Sequence, residues 1–200
     1  MPGCDEEHLG GDSPLACKRF LFRMEPGIST LIHGFKYRHM RRHIRFLCAY
    51  LRYRPDLKEF ARGFDALVPV PIHPARRRER GYNQAEEICA EIRGFLALPV
   101  LPSALRRTRA TQSQTRLDRR KRGRNLDGAF VCPDPEAIRG KRLILVDDVF
   151  TTGATMGRCA ELLLAGGAVK VAALALARVE AAREADDFAL EMEAVSVFAA

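Results

Sequence analysis

Four consecutive apolar residues, Leu143, Ile144, Leu145 and Val146, run directly into Asp147 and Asp148 and then into Thr151-Thr152-Gly153-Ala154-Thr155. An apolar run without polar alternation suits a strand buried on both faces, which in turn needs helices above and below it. Other stretches repeat the theme. Residues 66–70 form a short apolar run ending in Val68-Pro69-Val70-Pro71, read as a strand entering a loop. Ala85, Ile88, Cys89, Ile92 and Leu96 fall on one helical face behind Asn83, a suitable cap. Met156, Cys159 and Leu163 recur at helical spacing before Gly166-Gly167. Residues 129–132, 169–176 and 195–198 are read as further strands, and 31–51 as one or two amphipathic helices with Pro55 marking a stop. Strands alternating with helices predict an α/β fold, a mainly parallel sheet flanked by helices. Such sheets bind ligands beyond the carboxyl ends of their strands. The loops after Val70 and Val146 are therefore expected side by side.

The chemistry of residues 147–155 follows from residue type. Two adjacent carboxylates at the end of a buried strand repel each other and are poorly solvated unless hydroxyl groups or a cation engage them. Thr151, Thr152, Gly153, Ala154 and Thr155 offer hydroxyls and backbone N–H groups at a helix start, with Gly153 permitting a tight turn against an anion. A sugar phosphate satisfies both halves, with hydroxyls on the acids and phosphate on the amides. Four apolar residues before an acid also describe the magnesium-binding strand of an ATPase. That reading requires a G-x-x-x-x-G-K-[ST] loop, and the sequence has none.

Charge is distributed unevenly. The chain carries a formal +8, yet both ends are acidic. Seven Lys or Arg and no acid lie between Lys36 and Arg54, and nine against Asp118 alone between Arg106 and Arg124. Such clusters favour polyanions, either nucleic acid or a phosphorylated small substrate. The loop expected over residues 72–82 carries Arg76, Arg77, Arg78 and Arg80. The polar stretch 106–125 reads as a long loop of the kind that serves as a lid, with Arg119, Arg120 and Lys121 at its basic centre.

With 200 residues and 47% hydrophobic content, one main domain is expected. No apolar run is long enough to span a bilayer, and the acidic first fifteen residues lack the pattern of a signal peptide. Membrane insertion is not expected, and a cytoplasmic location is. Six cysteines without a C-x-x-C pair are read as reduced thiols, with Cys48, Cys89 and Cys159 on buried helix faces. His39 and His43 lie four apart but lack a third ligand nearby, and are read as part of a basic helix face.

The thirteen residues 143–155 resemble the 5-phosphoribosyl-1-pyrophosphate (PRPP) signature of type I phosphoribosyltransferases. Three further stretches resemble the competence protein F (ComF) family. They are Ile32-His33-Gly34-Phe35-Lys36-Tyr37, Val68-Pro69-Val70-Pro71-Ile72-His73-Pro74 through Arg80-Gly81-Tyr82-Asn83-Gln84, and residues 111–115 through 124–130. The resemblance implies a type I phosphoribosyltransferase fold, with an N-terminal helical or hood segment over 1–60 and the transferase-like domain over 61–200. Asp147 and Asp148 would bind the ribose hydroxyls, and Thr151 to Thr155 the 5′-phosphate. Mg²⁺ would arrive with PRPP, and no protein metal ligand is implied.

The implied reaction is displacement of pyrophosphate from C1′ by an acceptor that the sequence does not identify. Arg76, Arg77, Arg78 and Arg80 are expected on the pyrophosphate side, and residues 106–124 as the lid; no general base is assigned. The alternative is a non-catalytic PRPP sensor that binds nucleic acid in DNA uptake. Members of the family typically carry an N-terminal cysteine zinc ribbon. Only Cys4 and Cys17 precede Leu31, so no zinc is expected. A homodimer paired through the N-terminal segment is a further expectation.

Overall fold

In the computed structural model, residues 7–8, 13–37, 40–109 and 128–179 are described. Five strands form the main sheet: β1 (Glu7–His8), β2 (Cys17–Arg23), β3 (Ala66–Pro69), β6 (Arg142–Phe150) and β7 (Lys170–Arg178). Their order is β1-β2-β7-β6-β3, parallel throughout except for β1 on β2. A separate antiparallel pair joins β4 (Arg106–Arg107) to β5 (Phe130–Val131). The helices are α1 (Pro26–Tyr37), α2 (Arg42–Ala49), α3 (Pro55–Ala61), α4 (Pro74–Arg80), α5 (Gln84–Leu96) and α6 (Ala154–Ala165), with a 3₁₀ turn at Tyr50–Tyr53.

The apolar run behaves as its composition requires. Leu143, Ile144, Leu145 and Val146 are all fully buried, and successive residues face opposite layers. Leu143 and Leu145 pack with Met156, Cys159 and Leu163 of α6. Ile144 and Val146 pack with Ile32 and Phe35 of α1, Leu47 of α2 and Ile88 and Ile92 of α5. The sheet is thus covered on both faces, as a parallel sheet must be. β7 is a run of small residues, with Ala172, Ala173, Ala175 and Ala177 buried between the layers.

Several expectations need correction. The central strand does not stop at Val146: Asp147 pairs with Ala175 and Phe150 with Arg178, so both acids lie within it. Residues 72–82 are not a plain loop. They contain α4, which has no buried residue and is held by its ends. His73 Nδ1 accepts from Ala75 N at 3.2 Å, Pro74 opens the helix, and Gly81 closes it at φ 74°. Pro55 begins α3 as well as following the 3₁₀ turn, in keeping with proline at a first helical position. Arg106 and Arg107, expected in an open loop, are in a strand. The sequence reading also lacked β2, which lies inside the first sixty residues and pairs with β7 from Lys18 to Arg23. His43 belongs less to a surface than to the α1–α2 contact, its Nδ1 lying 3.1 Å from the Leu31 carbonyl.

The helix over 84–96 and its Asn83 cap stand as read, with Asn83 Oδ1 accepting from Ala85 N at 3.1 Å. Cys48, Cys89 and Cys159 are buried thiols. Burial pushes Cys48 up to about 12 and raises Cys89 and Cys159 as well. No helix among the described residues is long and apolar enough to cross a membrane. Cys4, His39, Arg119, Arg120, Lys121 and the strand expected at 195–198 lie outside the described residues.

Candidate sugar-phosphate site

The carboxyl end of β6 carries Asp147 and Asp148, and the pleat sends them to different neighbours. Asp148, 8% exposed, meets α1: Lys36 Nζ lies 3.1 Å from its Oδ2. Asp147 accepts from the Asp148 backbone N at 2.9 Å through Oδ1. The Asp147 carboxyl is pushed well above the usual range, first by burial and then by the charge of Asp148. The Asp148 amide, Lys36 and Arg107 pull it back down. A pair of acids this close is held as unlike members, one with a cation and one with a raised proton affinity.

Beyond Phe150 the chain turns into α6. Gly153 stands at its N-cap with φ 75°, a left-handed conformation natural to glycine. The Phe150 ring lies directly beneath, so a Cβ at Gly153 would come within 2.6 Å of its Cζ. Gly153 is therefore required twice, by the turn and by the ring. The Ala154 N–H donates to Thr152 Oγ1 at 3.4 Å, and Gly157 N donates to the Gly153 carbonyl at 2.7 Å. Thr151 is exposed, and Thr152, Ala154 and Thr155 are half-buried at the start of a twelve-residue helix. Backbone N–H groups and the helix dipole there favour an anion.

A cleft of about 610 Å³ lies between α4 and the segment ending in β4, and it includes Arg107, which is within electrostatic reach of Asp147. Arg77, Arg78, Arg106 and Arg107 line it, with Ser103 and Glu86. Arg107 connects the two places. Its guanidinium is lowered by burial and then by the charge of Arg76, while Asp147 opposes the shift. The four arginines expected to act together diverge. Arg76 neighbours Arg107. Arg77 is held bidentate by Glu86, at 2.7 and 2.9 Å, while Arg78 faces the cleft. Arg80 lies over the Tyr37 ring, 5.3 Å from its centroid.

Two residues of this neighbourhood were not singled out from sequence. Arg107 sat within a long basic stretch of which only Arg119, Arg120 and Lys121 were singled out. Lys36 stood inside the segment Ile32–Tyr37 that resembles the ComF family, which was the one available signal. α1 is pinned here from both sides, because Tyr82 Oη donates to the Phe35 carbonyl and Arg41 covers the Tyr82 ring at 4.5 Å.

A mainly parallel sheet covered by helices on both faces, with paired acids near the carboxyl end of β6 and a glycine-turned helix start beyond it, defines an α/β protein of the phosphoribosyltransferase type. The profile of the phosphoribosyl transferase domain matches residues 80–198, and the chain belongs to that family. Within it the relatives are of the ComF type. "DNA utilization protein YhgH" of Escherichia coli K12 is 40% identical over 114 residues, 57% of this chain and 49% of the relative. The protein of the same name in Salmonella typhi is 33% identical over 156 residues, 76% of this chain and 68% of the relative. "Competence protein F" of Haemophilus influenzae is 34% identical over 115 residues, 57% and 50% of the two chains. The chain spans about half the length of the E. coli and Haemophilus relatives.

Proposed function

We propose that the protein binds Mg-PRPP and transfers its phosphoribosyl group to an acceptor with release of pyrophosphate. One observation carries this reading: Asp147 and Asp148 lie near the carboxyl end of a strand that leads, through Gly153, into the first turn of α6. A pentose 5-phosphate would use both halves, its vicinal hydroxyls on the acids and its phosphate on the amides. The cleft beside it suits the leaving group, since Arg78, Arg106 and Arg107 line it and Arg76 stands next to Arg107. Mg²⁺ belongs to the substrate, where it screens the pyrophosphate charge.

In the reaction the C1′–O bond to pyrophosphate breaks and a bond from C1′ to the acceptor forms. The acceptor's proton is released, and pyrophosphate leaves with the bonding pair. Because negative charge develops on the departing pyrophosphate, the arginines facing it act mainly by electrostatics.

The reading is tested by thermal denaturation with and without Mg-PRPP. A ligand that binds only the native state raises the melting temperature. We expect a rise in the wild type that Asp147→Asn with Asp148→Asn abolishes. An equal rise in the double variant would remove the assignment. Pyrophosphate release with a panel of nitrogen acceptors, above the hydrolysis background, tests the transfer step.

A second reading, a PRPP sensor that handles nucleic acid, is favoured by two observations. The 36–54 and 106–124 segments are strongly basic, and the relatives bear names that refer to DNA utilization and competence. Tight PRPP binding without pyrophosphate release across the panel would select it.

A further inference from the structure

We propose that Lys36 is a positioning residue of the sugar site: from the last turn of α1 it fixes the Asp148 carboxylate as a hydroxyl acceptor and sets it apart from Asp147. The inference rests on the PRPP reading and names a residue which that reading left unassigned.

The geometry is specific. Lys36 and Asp148 side chains are 17% and 11% exposed, and their charged atoms are 3.1 Å apart. Among the described residues Lys36 is the cation in contact with either acid. It is not a loose surface lysine, because the Tyr82 hydroxyl bond to Phe35 and the Arg80 contact with Tyr37 hold the residues on either side of it. The wider surroundings favour the same division. Asp147 has Arg107 of β4 nearby and the neutral thiols of Cys159 on α6 and Cys89 on α5 within electrostatic reach. Asp148 has Lys36 of α1 and the Tyr82 hydroxyl. Lys36 acts on both acids, and its direct contact is with Asp148.

A hydroxyl donor needs an unprotonated oxygen to receive it. Lys36 against Oδ2 holds the Asp148 carboxylate in one orientation as the acceptor, while burial and the neighbouring acid raise the Asp147 carboxyl. Without Lys36 the two acids compete for a proton, and the acceptor depends on pH over the neutral range.

The experiment is calorimetric titration of Mg-PRPP into the full chain from about pH 6 to about pH 9, for the wild type, Lys36→Met, Lys36→Gln and Lys36→Arg. Methionine keeps the apolar stem, glutamine keeps a polar end, and arginine keeps the charge. Ligand titration is common to all and cancels in the ratios. The affinity lost by the Met and Gln variants should be about tenfold greater at the acid end than at the alkaline end, as for a carboxylate that has lost its contacting cation beside a second acid. Lys36→Arg should follow the wild-type profile.

A loss equal at every pH would overturn the proposal, since that is the signature of damaged packing or of general charge attraction. Unchanged affinity in both neutral variants would overturn it too. The failure of the PRPP reading looks different, because the wild type itself would then bind at no pH. Melting temperatures of the ligand-free variants check that each is folded, and if Lys36→Met does not fold, Lys36→Gln decides.

Discussion

Replacing Asp147 by Asn should stabilise the ligand-free protein at alkaline pH, and the structure indicates by how much. Burial and the adjacent Asp148 raise the Asp147 carboxyl from 3.8 to about 7. In the unfolded chain the same group titrates near the ordinary aspartate value. Between these two values the native state holds more protons than the unfolded state, so stability falls as pH rises. The contribution of Asp147 is fully present below the unfolded value and is lost as pH passes through the native one. The interval from 3.8 to about 7 corresponds to roughly 4 kcal/mol as an upper bound. Asp147 is half-buried rather than sealed, so water screens part of that, and about 2 kcal/mol is the working figure. For a chain of this size that is about 4–8 °C in melting temperature.

Asn cannot ionise and keeps nearly the same shape. The stability difference between Asp147→Asn and the wild type should therefore grow by about 2 kcal/mol between about pH 4.5 and about pH 8. Urea denaturation at fixed ionic strength measures it, and subtracting one protein from the other removes the titration of every other group. A difference that is constant with pH, or a variant less stable than the wild type at about pH 8, would refute the electrostatic account of the site.

Two other tests address the turn and the basic segments. Gly153→Ala should lose about 1–2 kcal/mol of stability from left-handed backbone strain, displace the Phe150 ring and reduce the Mg-PRPP thermal shift. Gly140→Ala, with a similar φ of 72° but open space around it, should lose stability and keep the shift; equal shifts in both variants would separate Gly153 from phosphate binding. If the protein binds single-stranded nucleic acid through the 106–124 segment, charge reversal at Arg119, Arg120 and Lys121 should flatten the dependence of log affinity on log salt by about 2 or more. An unchanged slope places the contact elsewhere.

Legibility in the sequence tracked the kind of force involved. Leu143–Val146 and the 85–96 face were readable because burial on both faces, or on one helical stripe, leaves a periodic record. The remainder of β6 was hidden because Asp147 and Asp148 continue the β7 ladder without being apolar. β2 was hidden by Lys18 and Arg19; Arg19 is buried and lies 5.3 Å from the Phe60 ring centroid. α4 has no apolar face at all and is defined by a His73 cap and a Gly81 stop, features that a search for periodicity does not register. In the site, local sequence showed the acids and the phosphate turn, whose residues are contiguous. It could not show Lys36 or Arg107 approaching them, because those contacts exist only once α1 and β4 are docked.

Those two cations also resolve an apparent conflict in the site. PRPP is a polyanion, yet the reading places it against two carboxylates, which in isolation would repel it. Lys36 offsets the Asp148 charge at 3.1 Å. Asp147, its carboxyl raised by burial, carries a proton for much of the time near neutral pH. Arg107 lies within electrostatic reach of Asp147, with Arg76 near Arg107, and the first-turn amides of α6 would take the 5′-phosphate. The local field is therefore positive where phosphates would lie and close to neutral where hydroxyls would lie. Acids serve there as directional acceptors rather than as net charge. Selectivity for a diol would rest on the direction of the carboxyl lone pairs, with the positive charge of α4 and β4 lying toward the phosphates.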